Sequence, residues 1–377
     1  MSSKQIKIAE FSDVHLGHPS TPTTHILRSL RHMFPDNEKT AELDLIIIAG
    51  DLFDRLLDYN SDDVTEIELW WIAFVRMCAR NKTILRVIRG TPFHDRDQIK
   101  RLFSLIDGMD IEVDAKYFPI LDIEHITALD IDVLYIPDEW RHRCDDTWFE
   151  VVDLLAKKGL EKIDIVVMHG AFHHQMPKNI HHQLELHQAS RYIDITRRVI
   201  YVGHVHQMSN YEGVILSAGS TDRLSHGDEG TKGHWRTTLF SDGTQTHKFI
   251  PNALALPYIT IQASDVNAEE LYPIIDKRVE KLPDGSHVRL VGKKGDVVLQ
   301  AIDTLKIRHP TYHWVTKEMK KEEELDVPLL LENKPVFKAI HITPKNIEEL
   351  MMARINNKYP QHLVDNAAKL LNEAVNG

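Results

Sequence analysis

Five short motifs in this chain carry side chains able to hold metal ions: Asp13-x-His15, Gly50-Asp51-x-x-Asp54, the pair His94-Asp95, His169-Gly170 and Gly203-His204-x-His206. Their donors are carboxylate and imidazole, with no sulfur, which suits manganese, magnesium or iron better than a structural zinc site. Spacing matters as much as type. Asp13 and His15 lie two residues apart, as do His204 and His206, so in extended backbone each pair shares one face and can converge on one ion. Asp51 follows an apolar run, with Gly50 beside it allowing close approach, and is the natural carboxylate to bridge two ions. Two divalent cations roughly 4 Å apart generate a hydroxide nucleophile at neutral pH and take up charge on the phosphoryl and leaving oxygens of a phosphoester. Each motif alone is weak, since Asp-x-His, Gly-Asp and strand histidines are common on ordinary surfaces. The five together, in one order, each at an apolar-to-polar transition, make the case. His18, His173, His174, His181, His182 and His187 read instead as surface or supporting residues.

Such a cluster needs rigid elements to aim it. Residues 1 to about 170 alternate β-rich runs (Ile6 to Phe11, Leu43 to Ala49, Thr83 to Ile88) with amphipathic ones (23–34, 62–80, 97–107), the pattern of an α/β layered fold. The runs 43–49 and 163–168 are apolar on both faces, as central strands covered by helices must be, and each ends on a motif. An open α/β sheet places ligands at such strand ends. After about residue 195 short strands and glycine turns predict a β-rich second half, closed near Pro251 and Pro257. Residues 258 to about 315 predict a small α+β unit: strands at 258–262, 287–291 and 311–315 and a helix at 268–281.

Composition narrows the class. A length of 377 residues suggests two or three domains, and 42% hydrophobic residues is enough to bury a core. The net charge of −11 argues against a tail-driven nucleic-acid binder, although a carboxylate-rich cleft neutralised by cations leaves nucleic acid open as a substrate. Two cysteines, Cys78 and Cys144, make a disulfide framework improbable and fit a reducing cytoplasm. The start lacks the order of a signal peptide, and no apolar run approaches the roughly 18 residues a membrane span needs, so a cytoplasmic protein without a membrane segment is expected.

The motifs resemble those of the calcineurin-like metallophosphoesterases, whose pattern is D-x-H, G-D-x-x-D, G-N-H-[DE], H-G and G-H-x-H; the match spans roughly residues 5 to 250 with four of five intact. Within that superfamily, Asp13-Val-His-Leu-Gly17, Gly50-Asp-Leu-Phe-Asp54 and Ala218-Gly-Ser-Thr-Asp-Arg-Leu-Ser225 resemble the SbcD-type DNA exonuclease subunits of bacteria and phages. The resemblance implies a four-layer α/β sandwich, two mixed sheets flanked by helices, over 1–255. It further implies a DNA-facing capping domain (256–316), a charged linker (317–344) and a C-terminal helix pair (345–377). The implied activity is metal-dependent exonuclease and structure-specific endonuclease cutting of DNA, in a homodimer working with an SbcC-like ABC-type ATPase docked on residues 345–377. The implied cofactors are two divalent cations, manganese preferred and magnesium possible.

Carried over by position, the resemblance assigns Asp13, His15, Asp51 and His206 to the first ion and Asp51, His169 and His204 to the second. His94 becomes the acid that protonates the leaving oxygen or the group that stabilises the phosphoryl charge, with Asp95 orienting its ring and Asp54 either supporting that region or capping a helix. One departure stands out. The family's Gly-Asn-His-Asp, whose Asn ligates the second ion, is here Gly90-Thr-Pro-Phe-His-Asp95, two residues longer and without Asn, a variant compatible with a phage-encoded member. Thr91, a water or His94 itself are the groups able to replace it. Phosphate contacts are expected from Arg89, Arg96 and Arg223, which neighbour the motifs, ahead of Arg86, Lys100, Arg101, Lys277, Arg278, Lys293 and Lys294, for which charged surface is the default.

Overall fold

A computed structural model describes residues 5–138 and 140–319. The strands are β1 Gln5–Phe11, β2 Leu45–Ile48, β3 Ile84–Ile88, β4 Ala115–Phe118, β5 Asp122–Ile126, β6 Ile131–Ile136, β7 Ile163–His169 and β8 Thr196–Gly203. They continue as β9 Ser209–Tyr211, β10 Ile215–Ser217, β11 Gly233–Phe240, β12 Gln245–Pro251, β13 Tyr258–Gln262, β14 His287–Gly292 and β15 His313–Glu318. Two six-stranded sheets result, in the orders β12-β11-β1-β2-β3-β4 and β5-β6-β7-β8-β10-β9. Both are mixed: β1 to β4 run parallel while β11 and β12 are antiparallel, and β6, β7, β8 and β10 run parallel between antiparallel edges β5 and β9.

Side-chain alternation makes the layers. In β2, Leu45 and Ile47 point into the core shared with the second sheet, where they meet Val133, Tyr135, Ile165, Val167, Val199 and Tyr201. Ile46 and Ile48 point the other way, onto Ile26, Leu27 and Leu30 of the helix Thr23–Met33 and Trp70, Trp71 and Phe74 of the helix Asp62–Asn81. The outer face of the second sheet does the same with Val151 and Leu155 of the helix Cys144–Lys158 and Tyr192 of the helix Ala189–Ile195. Helix, sheet, sheet and helix therefore stack in four layers, with the central strands β2, β3 and β7 buried on both faces, as the unbroken apolar runs at 43–49 and 163–168 required. Residues 109–162, silent in the sequence, supply β4, β5, β6 and the helix 144–158.

Arg86, read as surface, is 1% exposed. Its guanidinium grips Glu124 with two bonds, Nε to Oε2 at 2.7 Å and Nη2 to Oε1 at 2.9 Å, and so ties β3 of one sheet to β5 of the other. A buried fork of this kind is satisfied and is not available to phosphate.

The third sheet, β13-β14-β15, is parallel throughout and packs on the helices Ala268–Val279 and Ile302–Arg308 around Leu271, Ile275, Leu290 and Trp314. Asn267 caps the first of these helices by accepting from the Glu270 amide at 2.9 Å. β15 runs through Glu318, two residues into the segment read as a linker; the rest of that segment, from 320, and the helix pair at 345–377 lie outside the described residues. No helix among the described residues is long and apolar enough to cross a membrane.

Candidate metal centre

All six expected ligands sit just beyond the C-terminal ends of β1, β2, β7 and β8, or on their last residue. The chain turns sharply there: Asp13, His15, Asp51 and His204 have φ of 51°, 54°, 49° and 98°, left-handed backbone that costs a non-glycine residue about 1–3 kcal/mol. Hydrogen bonds hold the turns. Asp13 N donates to Gly50 O at 3.1 Å, and Val14 N and His15 N donate to Asp51 O at 2.9 and 3.1 Å, so the first two motifs are laced together. Gly50, at φ 89°, lies so close to His169 that an added Cβ would fall 2.3 Å from its Nδ1. This is the close approach that only glycine permits.

The donors gather in three groups, each with its atoms within 4.8 Å of one another: Asp13, His15 and His206; Asp51, His169 and His204; and His15, Asp51 and His94. His15 Nε2 and His206 Nε2 face each other at 3.0 Å, with Asp13 Oδ1 at 3.8 Å from the latter. His169 Nε2 is 3.3 Å from Asp51 Oδ2. The Asp13 carboxylate is steadied by Ser12 Oγ at 2.6 Å and by the His204 amide at 3.0 and 3.1 Å. His169 Nδ1 donates to Ala49 O at 2.7 Å, which leaves Nε2 as the bare nitrogen.

Electrostatics follow from packing carboxylates and imidazoles out of water. For His15, burial pulls the pKa down, but the Asp54 hydrogen bond and the charges of Asp51 and Asp13 outweigh it and push it up to about 9. For Asp51, burial pushes up, yet His169, then His15 and His94, hold it well below the usual carboxylate range. His206 lies well below its ordinary value through burial and then the charge of His15. His15 must therefore shed a proton before it can donate a lone pair, whereas His206 is already neutral.

A family model described as calcineurin-like phosphoesterase matches residues 6–208, from β1 through the last of the histidine motifs. The chain belongs to the calcineurin-like phosphoesterase family. No curated protein matches it. A solved structure 10% identical to this phosphoesterase aligns over 65% of it and 99% of its own length at a TM-score of 0.38, a likeness that carries no argument.

The phosphoesterase's residues fit the divalent cations its family uses. Their donors are oxygen and nitrogen only, and the buried His169 Nε2 makes no hydrogen bond but faces Asp51 Oδ2 at 3.3 Å, a pair of donors that a divalent cation would engage together. His18, His173, His174, His181, His182 and His187 join none of the three groups.

Two roles are corrected by the geometry. Asp95, expected to orient His94, points away from it: Oδ1 accepts from Phe53 N at 3.1 Å and Oδ2 from Gly90 N at 2.7 Å. The His94 ring is instead fixed by the backbone carbonyl of Asp54, 2.5 Å from Nδ1, while the Asp54 carboxylate takes His15 Nδ1 at 3.1 Å. Burial, then the charge of Asp51, pushes Asp95 up to about 7, as befits a structural carboxyl bridging two loops. Arg223, expected on phosphate, braces the chain: Nε donates to Glu229 O and Gly230 O at 3.2 Å, and Nη1 to Ala255 O at 3.0 Å and Leu256 O at 3.3 Å. Thr91 directs its hydroxyl to Asp51 Oδ2 at 3.2 Å and its amide to Oδ1 at 2.5 Å, so it orients that carboxylate.

Some supports gave no signal. Lys232 and Asp228 form a buried ion pair; Lys232 Nζ donates to His206 O at 2.7 Å and Ser220 Oγ to Asp228 Oδ2 at 2.9 Å. In sequence these residues sit in a glycine-rich stretch that reads as turns.

Glu10, the penultimate residue of β1, is fully buried with no hydrogen-bond partner for either carboxylate oxygen. Burial and then the charge of Asp13 raise its pKa well above the usual value. A raised folded pKa means that the folded state holds the proton more tightly than the unfolded chain. The resulting stability is full below the unfolded value of about 4.3 and is lost as pH rises through the folded value, by up to about 1.4 kcal/mol per pH unit. Glu10→Gln removes that cost. With chelator present, the melting temperature of the Gln variant is expected to exceed that of the wild type by a margin that widens from about pH 4 to about pH 8; a constant margin refutes the assignment.

Proposed function

We propose that this phosphoesterase is a DNA nuclease subunit of the SbcD type, an exonuclease and structure-specific endonuclease that hydrolyses phosphodiesters with two divalent cations, manganese preferred. The observation that carries the two-cation reading is Asp51: its carboxylate belongs both to the group with His169 and His204 and to that with His15 and His94. A carboxylate shared in this way is what a bridged pair of ions needs. DNA as substrate rests on the resemblance of Asp13–Gly17, Gly50–Asp54 and Ala218–Ser225. In the fold the last of these packs behind Asp13, with Ser12 Oγ on Gly219 O at 3.3 Å and Thr221 N on Asp13 O at 3.4 Å. The small β13-β15 unit is proposed to face DNA. Residues 345–377 are proposed to dock an SbcC-like ATPase in a dimeric, cytoplasmic complex.

When bound, the cations lower the pKa of water and draw charge from the phosphoryl oxygens. The chain does the rest. Asp13, His15 and His206 would hold the ion on one side, His169 and His204 that on the other, and Thr91 and Asp54 keep Asp51 and His15 in place. His94 Nδ1–H is committed to the Asp54 carbonyl, so Nε2 is the ring's free atom, a proton donor to the leaving oxygen when the ring is charged. Exposed Arg96 and half-buried Arg89, on either side of the 90–95 loop, are proposed to neutralise backbone phosphate.

Digestion of end-labelled duplex and single-stranded DNA by the full chain, with manganese and with or without its ATPase, tests this. No cutting in any arm overturns the nuclease reading, and turnover only of a chromogenic phosphodiester points to another substrate. His94→Ala is expected to lower kcat roughly 10²–10⁴-fold with metal stoichiometry intact. Loss of a bound ion would instead make His94 a ligand, as its grouping with His15 and Asp51 also permits.

A further inference from the structure

The loop that departs from the family pattern does more than omit an Asn. Its added residues place Phe93 directly before His94, 66% exposed, with the two rings 6.2 Å apart and near-perpendicular. Single exposed apolar residues are common and mean little alone. What sets this one apart is its backing. The Arg96 guanidinium lies 4.3 Å from the centre of the Phe93 ring, and Arg96 Nε donates to Phe93 O at 2.9 Å. One face is thus braced by a cation while the remainder stays open. The turn that achieves this puts Arg96 and Asp97 at φ 41° and 61°, backbone a non-glycine residue adopts at a cost.

The same construction recurs on the adjoining loop. Tyr59 is 70% exposed, and Arg101 lies 3.5 Å from its ring centre. The two loops are stitched together by Gln98, whose Oε1 accepts from Leu57 N at 2.9 Å while Nε2 donates to Arg55 O at 2.9 Å and Asp95 O at 3.4 Å. Exposed Arg55 and Lys100 flank them; Lys100 also pairs with Asp97 at 3.2 Å and Arg101 with Glu68 at 2.5 Å, so Arg55 and Arg96 are the cations here with no carboxylate partner among the described ion pairs. Cations alternating with open aromatic faces match a polyanion that carries its own π faces. Single-stranded nucleic acid has both. Duplex DNA keeps its bases stacked on each other except at its ends, and a phosphopeptide has no such series of rings.

We propose that Phe93 is a specificity-determining residue that stacks on an unpaired base beside the phosphate served by His94, with Tyr59 as the second ring of the same track, so that single-stranded or frayed DNA is the preferred substrate. This rests on the DNA-nuclease reading above. The test is manganese-dependent cleavage of a labelled single-stranded oligonucleotide by the full chain, with one abasic position walked across the site of cutting. Phe93→Ala is expected to raise KM about tenfold with kcat held, in line with the usual worth of base–aromatic stacking. One abasic position should weaken the wild type to the same degree yet cost Phe93→Ala nothing further, and Phe93→Trp should restore the wild-type KM.

An unchanged KM in Phe93→Ala, or an abasic penalty equal in both proteins, overturns the proposal while leaving the nuclease reading intact. A fall in kcat on every oligonucleotide, abasic ones included, also overturns it, since Phe93 would then merely hold His94. Weakened binding of the ATPase with DNA cutting unaffected assigns the ring to protein docking and overturns it too. A wild type that cuts no DNA removes both readings at once.

Discussion

Asp51→Asn is expected to abolish metal-dependent phosphoester hydrolysis, by roughly 10³-fold or more, since a carboxylate in the bridging position proposed for Asp51 would underlie several kcal/mol of charge stabilisation. Asn is the informative replacement. It keeps the shape of the side chain, and it tolerates the left-handed φ of 49° that alanine would resist. Thr91 can still hydrogen-bond to the amide oxygen, so the loop should stay in place. What is lost is the negative charge that both donor groups share. Titration calorimetry with manganese should show weaker binding and a reduced stoichiometry, and the melting temperature without metal should fall, because the carboxylate that His169, His15 and His94 hold ionised has lost its charge. Wild-type stoichiometry with full activity would show that Asp51 bridges nothing.

Gly90→Ala is the second large effect. A Cβ at residue 90 would stand 2.0 Å from Asp51 N, 2.2 Å from Asp51 Oδ1 and 2.8 Å from Asp51 Cα. Two of those atoms are backbone, laced to β1, and cannot swing aside as a side-chain tip would. Either the 90–95 loop is displaced, taking His94 and Thr91 with it, or the protein loses about 3 kcal/mol or more through overpacking. Thermal melting together with hydrolysis reads both alternatives; normal values in both would contradict the contact. Gly108→Ala is the matched control, because nothing lies within 4 Å of its would-be Cβ, and it should be neutral or slightly stabilising.

The six residues Asp13, His15, Asp51, His169, His204 and His206 were legible because each follows an apolar run that could only be a buried strand, and strand ends are where such a sheet gathers its ligands. The layers were legible for the same reason. Long-range pairing was not. Arg86 looks like surface charge until Glu124, 38 residues on in a strand with no sequence signal, folds against it. Arg223 looks like a phosphate ligand until the carbonyls of 229, 230, 255 and 256 surround it. His94 and Asp95 look like partners because they adjoin, yet the segment Pro92–Asp95 is helical, and successive side chains on a helix point about 100° apart. Adjacency in sequence misled there, and a backbone carbonyl, which no motif records, does the orienting.

The centre draws on both large sheets. Asp13 and Asp51 leave strands of one, His169 and His204 strands of the other, and His15 meets His206 at 3.0 Å across 191 residues of chain. This has a consequence for the order in which a newly made molecule matures. A chain emerging from the ribosome carries Asp13, His15 and Asp51 long before β8 exists, and closing a loop of that length gains nothing until the sheets dock. Hydrolytic competence therefore waits on the docking of the two sheets, and a chain that has not yet made β8 lacks half of the centre.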